Sequence, residues 1–189
     1  MQIEMTALPG VFMFTPRRFG DARGWFSETW TAGRMAEAGF DLTYVQDNHS
    51  YSAQKGTLRG LHYQSPPHAQ DKLVRCTRGS ILDVAVDYRV GSPDFGKWVG
   101  VELSAENGRQ LLVPKGFLHG FLTLEDETEV QYKCTDRYAP ECDGNIRWND
   151  PDLAIDWGLD GVVPHLSAKD EVAPFVAQAR SPFVWESEA

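Results

Sequence analysis

The sequence predicts an all-β protein, an antiparallel jelly-roll β-barrel or sandwich with a few short helices in its N- and C-terminal parts. Two patterns carry that prediction. Between Tyr44 and Thr135, short runs rich in Val, Leu, Phe and Tyr recur about every eight to twelve residues, closed by turns such as Ser92-Pro93, Asn107-Gly108 and Pro114-Lys115-Gly116. Within the runs the period is two. Leu82, Val84, Val86 and Tyr88 alternate with Asp83, Ala85 and Asp87, the pattern of a strand buried on one face.

Taken in order, residues 11–15 form the first strand, which Pro16 closes, and the glycine-bounded turn 20–24 leads into Trp25-Phe26-Ser27-Glu28. A helix is predicted over 31–39, where Thr31 can cap it, Ala32, Met35, Ala36 and Ala38 favour it and Gly39 can end it. Residues 44–50 are polar and extended. Strands follow over 57–64, 73–75, 80–88, 98–103, 109–113, 117–124 and 127–135. In the tail, residues 167–170 introduce a short helix that Pro174 confines to about 175–179. The expected organisation is one domain, 1–189, with the jelly-roll core over about 40–148, N-terminal strands and helix over 10–39, and a C-terminal loop with short helices over 149–189.

Composition narrows the function. A formal net charge of −9 argues against a sequence-independent nucleic-acid binder, which needs a basic face to displace counterions from phosphates. Three scattered cysteines without a Cys-x-x-Cys pair do not make a disulfide scaffold, so a reducing cytoplasm is expected. Neither an export signal nor an apolar run of membrane-spanning length is visible. The run 91–97 copies the first positions of a phosphate-binding loop, but Trp98 replaces the metal-binding hydroxyl and a strand follows, so it is expected to be a hairpin turn.

The chain is organised around Thr57-Leu58-Arg59-Gly60-Leu61-His62-Tyr63-Gln64, followed by Gln70-Asp71-Lys72-Leu73-Val74. An ideal strand puts Leu58, Gly60, His62 and Gln64 on one face and Arg59, Leu61 and Tyr63 on the other. His119 shares a face with Phe117 and Phe121, and Tyr132 with Val130 and Cys134. Each of these polar residues alone reads as a core residue with a satisfied polar tip. Together with His62 and Lys72 on facing strands of a barrel, they suggest a site of interacting titratable groups. Metal binding finds little support, because the five histidines include no His-x-His pair and neither His62 nor His119 has a second ligand at strand spacing. Nucleophilic catalysis finds no Gly-x-Ser-x-Gly elbow. Ser167-x-x-Asp170 is either a helix capping pair or the source of a carboxylate that orients a histidine.

Several motifs in order, Gln46-Asp47-Asn48-His49-Ser50, Leu58 through Gln64, Lys72-Leu73-Val74, Pro114 through Phe121, Tyr132-Lys133, Trp148-Asn149-Asp150-Pro151 and Leu166 through Asp170, resemble the dTDP-4-dehydrorhamnose 3,5-epimerase family. The resemblance runs from about Gly10 to Asp170. It implies a cupin-type jelly roll, a homodimer, no metal and no cofactor, with a dTDP-4-keto-6-deoxyhexose as substrate. It also implies His62 as the base, Asp170 as its orienting partner, Tyr132 as the acid on the opposite face of the sugar, and Lys72 facing the developing oxyanion. Arg23, Glu28, Gln46, Asp47, Asn48, Arg59, His119 and Lys169 match substrate-holding positions, and Asp143 stands where the family usually has glutamate.

The chemistry accounts for these residue types. A ketone at carbon 4 acidifies the hydrogens on carbons 3 and 5, so one base near neutral pKa can remove either if the enolate is stabilised. The rivals are an epimerase of a related sugar inverting one centre only and, more distantly, a non-catalytic barrel that binds sugar nucleotides. Arg59 and His62 have opposite strand parity, so if both touch one ligand the Arg59-Gly60 segment must twist or bulge, which Gly60 would permit; otherwise Arg59 serves a different site.

Overall fold

The computed structural model describes residues 1–186, so the expected C-terminal part, 149–189, is seen as far as residue 186. Strands β1 (Gln2–Met5), β2 (Phe12–Thr15), β3 (Arg18–Asp21) and β4 (Gly24–Ser27) precede helix α1 (Ala32–Glu37). The barrel strands are β5 (Gln46–Ser52), β6 (Leu58–Gln64), β7 (Lys72–Arg78), β8 (Ser80–Asp87), β9 (Arg89–Val90), β10 (Trp98–Ser104), β11 (Gln110–Val113), β12 (Phe117–Thr123), β13 (Thr128–Cys134) and β14 (Asp143–Asn145). Helix α2 (Ala168–Glu171) and β15 (Phe183–Val184) complete the tail.

Two antiparallel sheets form the body, one of six strands in the order β1-β2-β11-β7-β13-β5 and one of five in the order β10-β8-β12-β6-β14. Inward-facing residues of both, among them Val74, Cys76, Ile81, Ala85, Leu111, Phe117, Phe121 and Val130, share one buried core. The outer face of each sheet is also covered. On the five-stranded sheet, Leu58, Leu61, Val84, Val86 and Leu118 pack against Ile146, Leu153, Trp157 and Phe183 of the C-terminal segment. Helix α1 lays Met35 over Phe14, Leu73 and Leu112 of the six-stranded sheet.

The C-terminal covering corrects one expectation. Strand β8 is not polar on one side: Asp83 and Asp87 are fully buried, as are Val84 and Val86. Its apolar phase meets the C-terminal segment, while Asp83 and Asp87 find partners in His119 and Arg89. The tail differs too. Its helical residues fall into α2 and a single 3-10 turn at Val176–Gln178, with Pro174 between them. The 91–97 segment is a turn leading from β9 into β10, which lies antiparallel on β8.

The strand-parity expectation fails at β6, for the anticipated reason. His62 pairs with His119 and Arg59 with Phe121, so three residue steps on β6 oppose two on β12, a bulge. Leu58 and Leu61 consequently share the outer core, while Arg59 and His62 open onto the same cavity. Gly60 makes this possible. Its φ is +140°, and a Cβ there would stand 2.6 Å from the Gly120 Cα and 3.1 Å from the His119 carbonyl oxygen. Gly120 is matched, since its own Cβ would lie 2.9 Å from the Arg59 carbonyl oxygen.

A Gly60→Ala chain should therefore lose about 2 kcal/mol or more of stability in denaturant unfolding, because both the dihedral and the backbone contact resist a methyl group. Wild-type stability in that variant would show that the β6–β12 approach is not tight.

Candidate active site

The open end of the barrel holds a cleft with two lobes, each of about 410 Å3, which share His62, Lys72, Tyr132 and Lys169. One lobe adds Arg59, His119, Phe121, Ser167 and Asp170, and the other adds Gln46, Asn48, Tyr63, Tyr138 and Asp143. Side chains from both sheets and from α2 thus converge on one space. They do so because β7, β12 and β13 each turn a polar residue inward beside core residues such as Val74, Phe121 and Val130, while β6 turns Arg59 and His62 inward.

His62 is central. On β6 it is flanked by His119 on β12 and Asn145 on β14, its register partners. Its Nε2 lies 2.6 Å from Asp170 Oδ1, and that carboxylate is almost entirely buried. Burial raises the Asp170 pKa, but the His62 bond and charge, the Ser167 hydroxyl and the Gly60 N–H outweigh it and hold the group below the usual aspartate range. Asp170 is therefore ionised and accepts the Nε2 proton, which leaves Nδ1 free to take a proton from a ligand. Both sequence readings of Ser167 hold. Its Oγ caps α2 by accepting from the Asp170 N–H at 3.2 Å, and its hydroxyl donates to Asp170 Oδ2 at 2.9 Å.

Tyr132 and Lys72 enter from the six-stranded sheet. Burial is the main cause that raises the Tyr132 phenol, assisted by Cys134 and opposed by Arg59, so the hydroxyl keeps its proton at neutral pH. Burial likewise lowers the Lys72 ammonium, against the favourable interactions of Cys134 and of the Asp83 and Asp143 carboxylates. On the rim, Gln46 donates to Asn48 Oδ1 at 3.0 Å and accepts from the Tyr138 N–H at 2.8 Å. Buried Gln64 holds the same loop through the Arg137 carbonyl and the Ala139 N–H. Asp143 pairs with Lys169, so the shorter side chain still reaches a lysine of the site. Arg59 donates to the Tyr51 carbonyl at 3.0 Å.

Three residues proposed from sequence lie elsewhere. Asp47 alternates outward on β5, where its carboxylate meets Lys133 at 2.9 Å. Arg23 sits on the turn between β3 and β4, bound to Asp21 with its side chain 89% exposed. Glu28 follows β4 and pairs with Arg34. In turn, sequence reasoning passed over Asp83, whose Oδ1 lies 2.7 Å from His119 Nε2 in the buried interior. The available signal was an acid in phase with Ile81 and Ala85, both core residues. Among the described residues, no group of three His, Cys, Asp or Glu side chains is placed to hold a metal ion.

Comparison with known proteins agrees with this geometry. Residues 5–178 match the family described as dTDP-4-dehydrorhamnose 3,5-epimerase. Proteins of that name from Pseudomonas aeruginosa and Salmonella typhimurium are 52% and 51% identical over 180 residues, which is 95% of this chain and 98% and 97% of theirs. The crystal structure of a dTDP-6-deoxy-D-glucose-3,5-epimerase from Legionella pneumophila in complex with dTDP-4-keto-L-rhamnose superposes with a TM-score of 0.93 at 46% identity, covering 100% of this chain and 99% of that one. With sequence agreement running end to end and the same backbone beneath it, the chain belongs to the dTDP-4-dehydrorhamnose 3,5-epimerase family.

Proposed function

We propose that this protein inverts carbons 3 and 5 of dTDP-4-dehydro-6-deoxy-D-glucose to give dTDP-4-dehydro-L-rhamnose. The observation that carries the reading is the His62–Asp170 pair opening onto the same cavity as Tyr132 and Lys72, in a chain about half identical to named 3,5-epimerases. His62 Nδ1 takes the proton from the carbon beside the ketone, and the electron pair moves to the carbon 4 oxygen. Asp170 holds the ring in the required tautomer and stabilises the imidazolium, as an acid behind a catalytic histidine does. Lys72 faces the enolate oxygen, where a preorganised contact contributes about 3–4 kcal/mol. Tyr132 delivers a proton to the opposite face of the carbon, and the ketone reforms with inverted configuration. No electrons are gained or lost overall.

Arg59, His119, Lys169, Asp143, Gln46 and Asn48 hold the nucleotide and sugar, with the Arg59 guanidinium suited to a phosphate. Two copies form a homodimer, and the hairpin carrying Arg23 reaches the neighbour's cleft together with Glu28. Phe19, Trp25 and Phe26 on that hairpin are 48%, 59% and 66% exposed, more apolar surface than an isolated chain favours. A cytoplasmic location suits three free thiols.

Proton NMR of the 4-keto sugar with enzyme in deuterium oxide tests the reaction. Deuterium should appear at carbons 3 and 5; incorporation at one carbon alone would mean a single-centre epimerase, and none with dTDP still bound would mean a binding protein. Tyr132→Phe should keep exchange while net inversion falls about 100-fold or more. Inversion at the wild-type rate in that variant would remove Tyr132 as the acid. Mixing His62→Ala and Arg23→Ala chains decides the subunit question. If Arg23 works across the dimer, the mixed pair contains one intact site and regains activity that neither parent has. No recovery after subunit exchange would place Arg23 in its own chain's site.

A further inference from the structure

Asp83 is a fully buried carboxylate on β8, in phase with the barrel interior. One oxygen is accounted for by His119 Nε2 at 2.7 Å. The other, Oδ2, is buried and has no hydrogen-bond partner among the described residues. An ionised carboxylate taken out of water costs several kcal/mol, so a half-bonded one in a family-sized core calls for a second compensating charge.

The facing groups identify it. Lys72 projects into the same interior from β7 on the opposite sheet, and the Asp83 charge acts on it. Around Lys72 stand Cys134, its direct cross-strand partner, and Tyr132, both from β13. Burial keeps that thiol and that phenol in their neutral forms. Asp143 from β14 is already paired with Lys169 of α2, and Lys169 repels the Lys72 ammonium. Asp170 is taken by His62, while Arg59, His62, His119 and His165 complete the titratable groups lining the lobe. Of the carboxylates here, Asp83 is the one that keeps a buried oxygen without a hydrogen-bond partner among the described residues.

We infer that Asp83 is a positioning residue that acts in two directions at once, fixing the His119 ring through Oδ1 and keeping Lys72 protonated at the place where enolate charge forms. The inference rests on the role proposed above for Lys72. It makes the barrel floor a charge relay of fixed members, in which one carboxylate sets both the orientation of a ligand-facing histidine and the charge of the oxyanion partner.

Asp83→Asn is the discriminating substitution, because it keeps an acceptor for His119 and removes only the charge. A cation that loses a neighbouring anion gives up its proton at lower pH, so the alkaline limb of the kcat–pH profile should move down by about one to three pH units. KM should change little, and Asp83→Glu should restore most of the limb. An unchanged profile, or a rise in KM alone, would confine Asp83 to holding His119 and overturn the inference. Should the asparagine chain fail to fold, the wild-type protein still answers. With 13Cε-labelled lysine, the resonance absent from Lys72→Arg should be that of an ammonium at neutral pH, and a neutral amine there would also overturn it. That reading needs no turnover, so it stands apart from the outcome of the exchange experiment.

Discussion

The site depends on a contact between two stretches of bare backbone. Where β6 passes β12, Gly60 and Gly120 approach so closely that neither tolerates a Cβ, and the extra residue on β6 is absorbed there. Without the bulge, Arg59 would point to the outer core beside Leu61 and the C-terminal segment, an expensive place for a guanidinium. With it, a cation and a base three residues apart face one cavity. The same bend brings the Gly60 N–H to Asp170, so the feature that aims His62 also helps to ionise its partner.

Around that point the protein places ionisable groups deep in an apolar barrel and compensates them locally. His62 and His119 are cross-strand partners that line one cavity, each held by an aspartate, but the His62 side chain is 32% exposed and that of His119 only 8%. The more accessible histidine suits proton transfer, and the more enclosed one suits a fixed orientation. Burial raises the Tyr132 phenol and lowers the Lys72 ammonium, so it works against an acid that must give a proton and a cation that must keep one, and neighbouring charges oppose it, Arg59 at the phenol and Asp83 and Asp143 at the ammonium.

Much of this was legible in the sequence, for physical reasons. Period-two alternation and regular turns indicate antiparallel strands, and the strands predicted over 11–15 and from 57 to 135 came out where they were expected, whereas β1, β3, β9, β14 and β15 were not foreseen. The odd spacing of Arg59 and His62 around a glycine foretold a bulge. Lys72, His119 and Tyr132 were legible as inward polar residues only because several occurred on facing strands. What stayed hidden depends on tertiary partners. The acids of β8 looked solvent-facing because nothing local reveals that a C-terminal segment covers the other side, and the Asp83–His119 pairing spans 36 positions. The outward turn of Asp47 and the position of Arg23 follow from strand phase and hairpin geometry that motif matching alone does not resolve.

The link between His62 and Asp170 joins residues 108 positions apart. Asp170 lies on a helix of one turn that has no reason to persist alone, since so short a segment is unstable until it docks. During synthesis the barrel strands leave the ribosome well before this carboxylate does. A chain clipped before α2 thus lacks the carboxylate that orients the base, whether or not its sheets have closed, so reactivity toward keto sugars waits on the C-terminal segment. The dyad works as a completeness check on the fold, tying chemical competence to an element that arrives after the barrel.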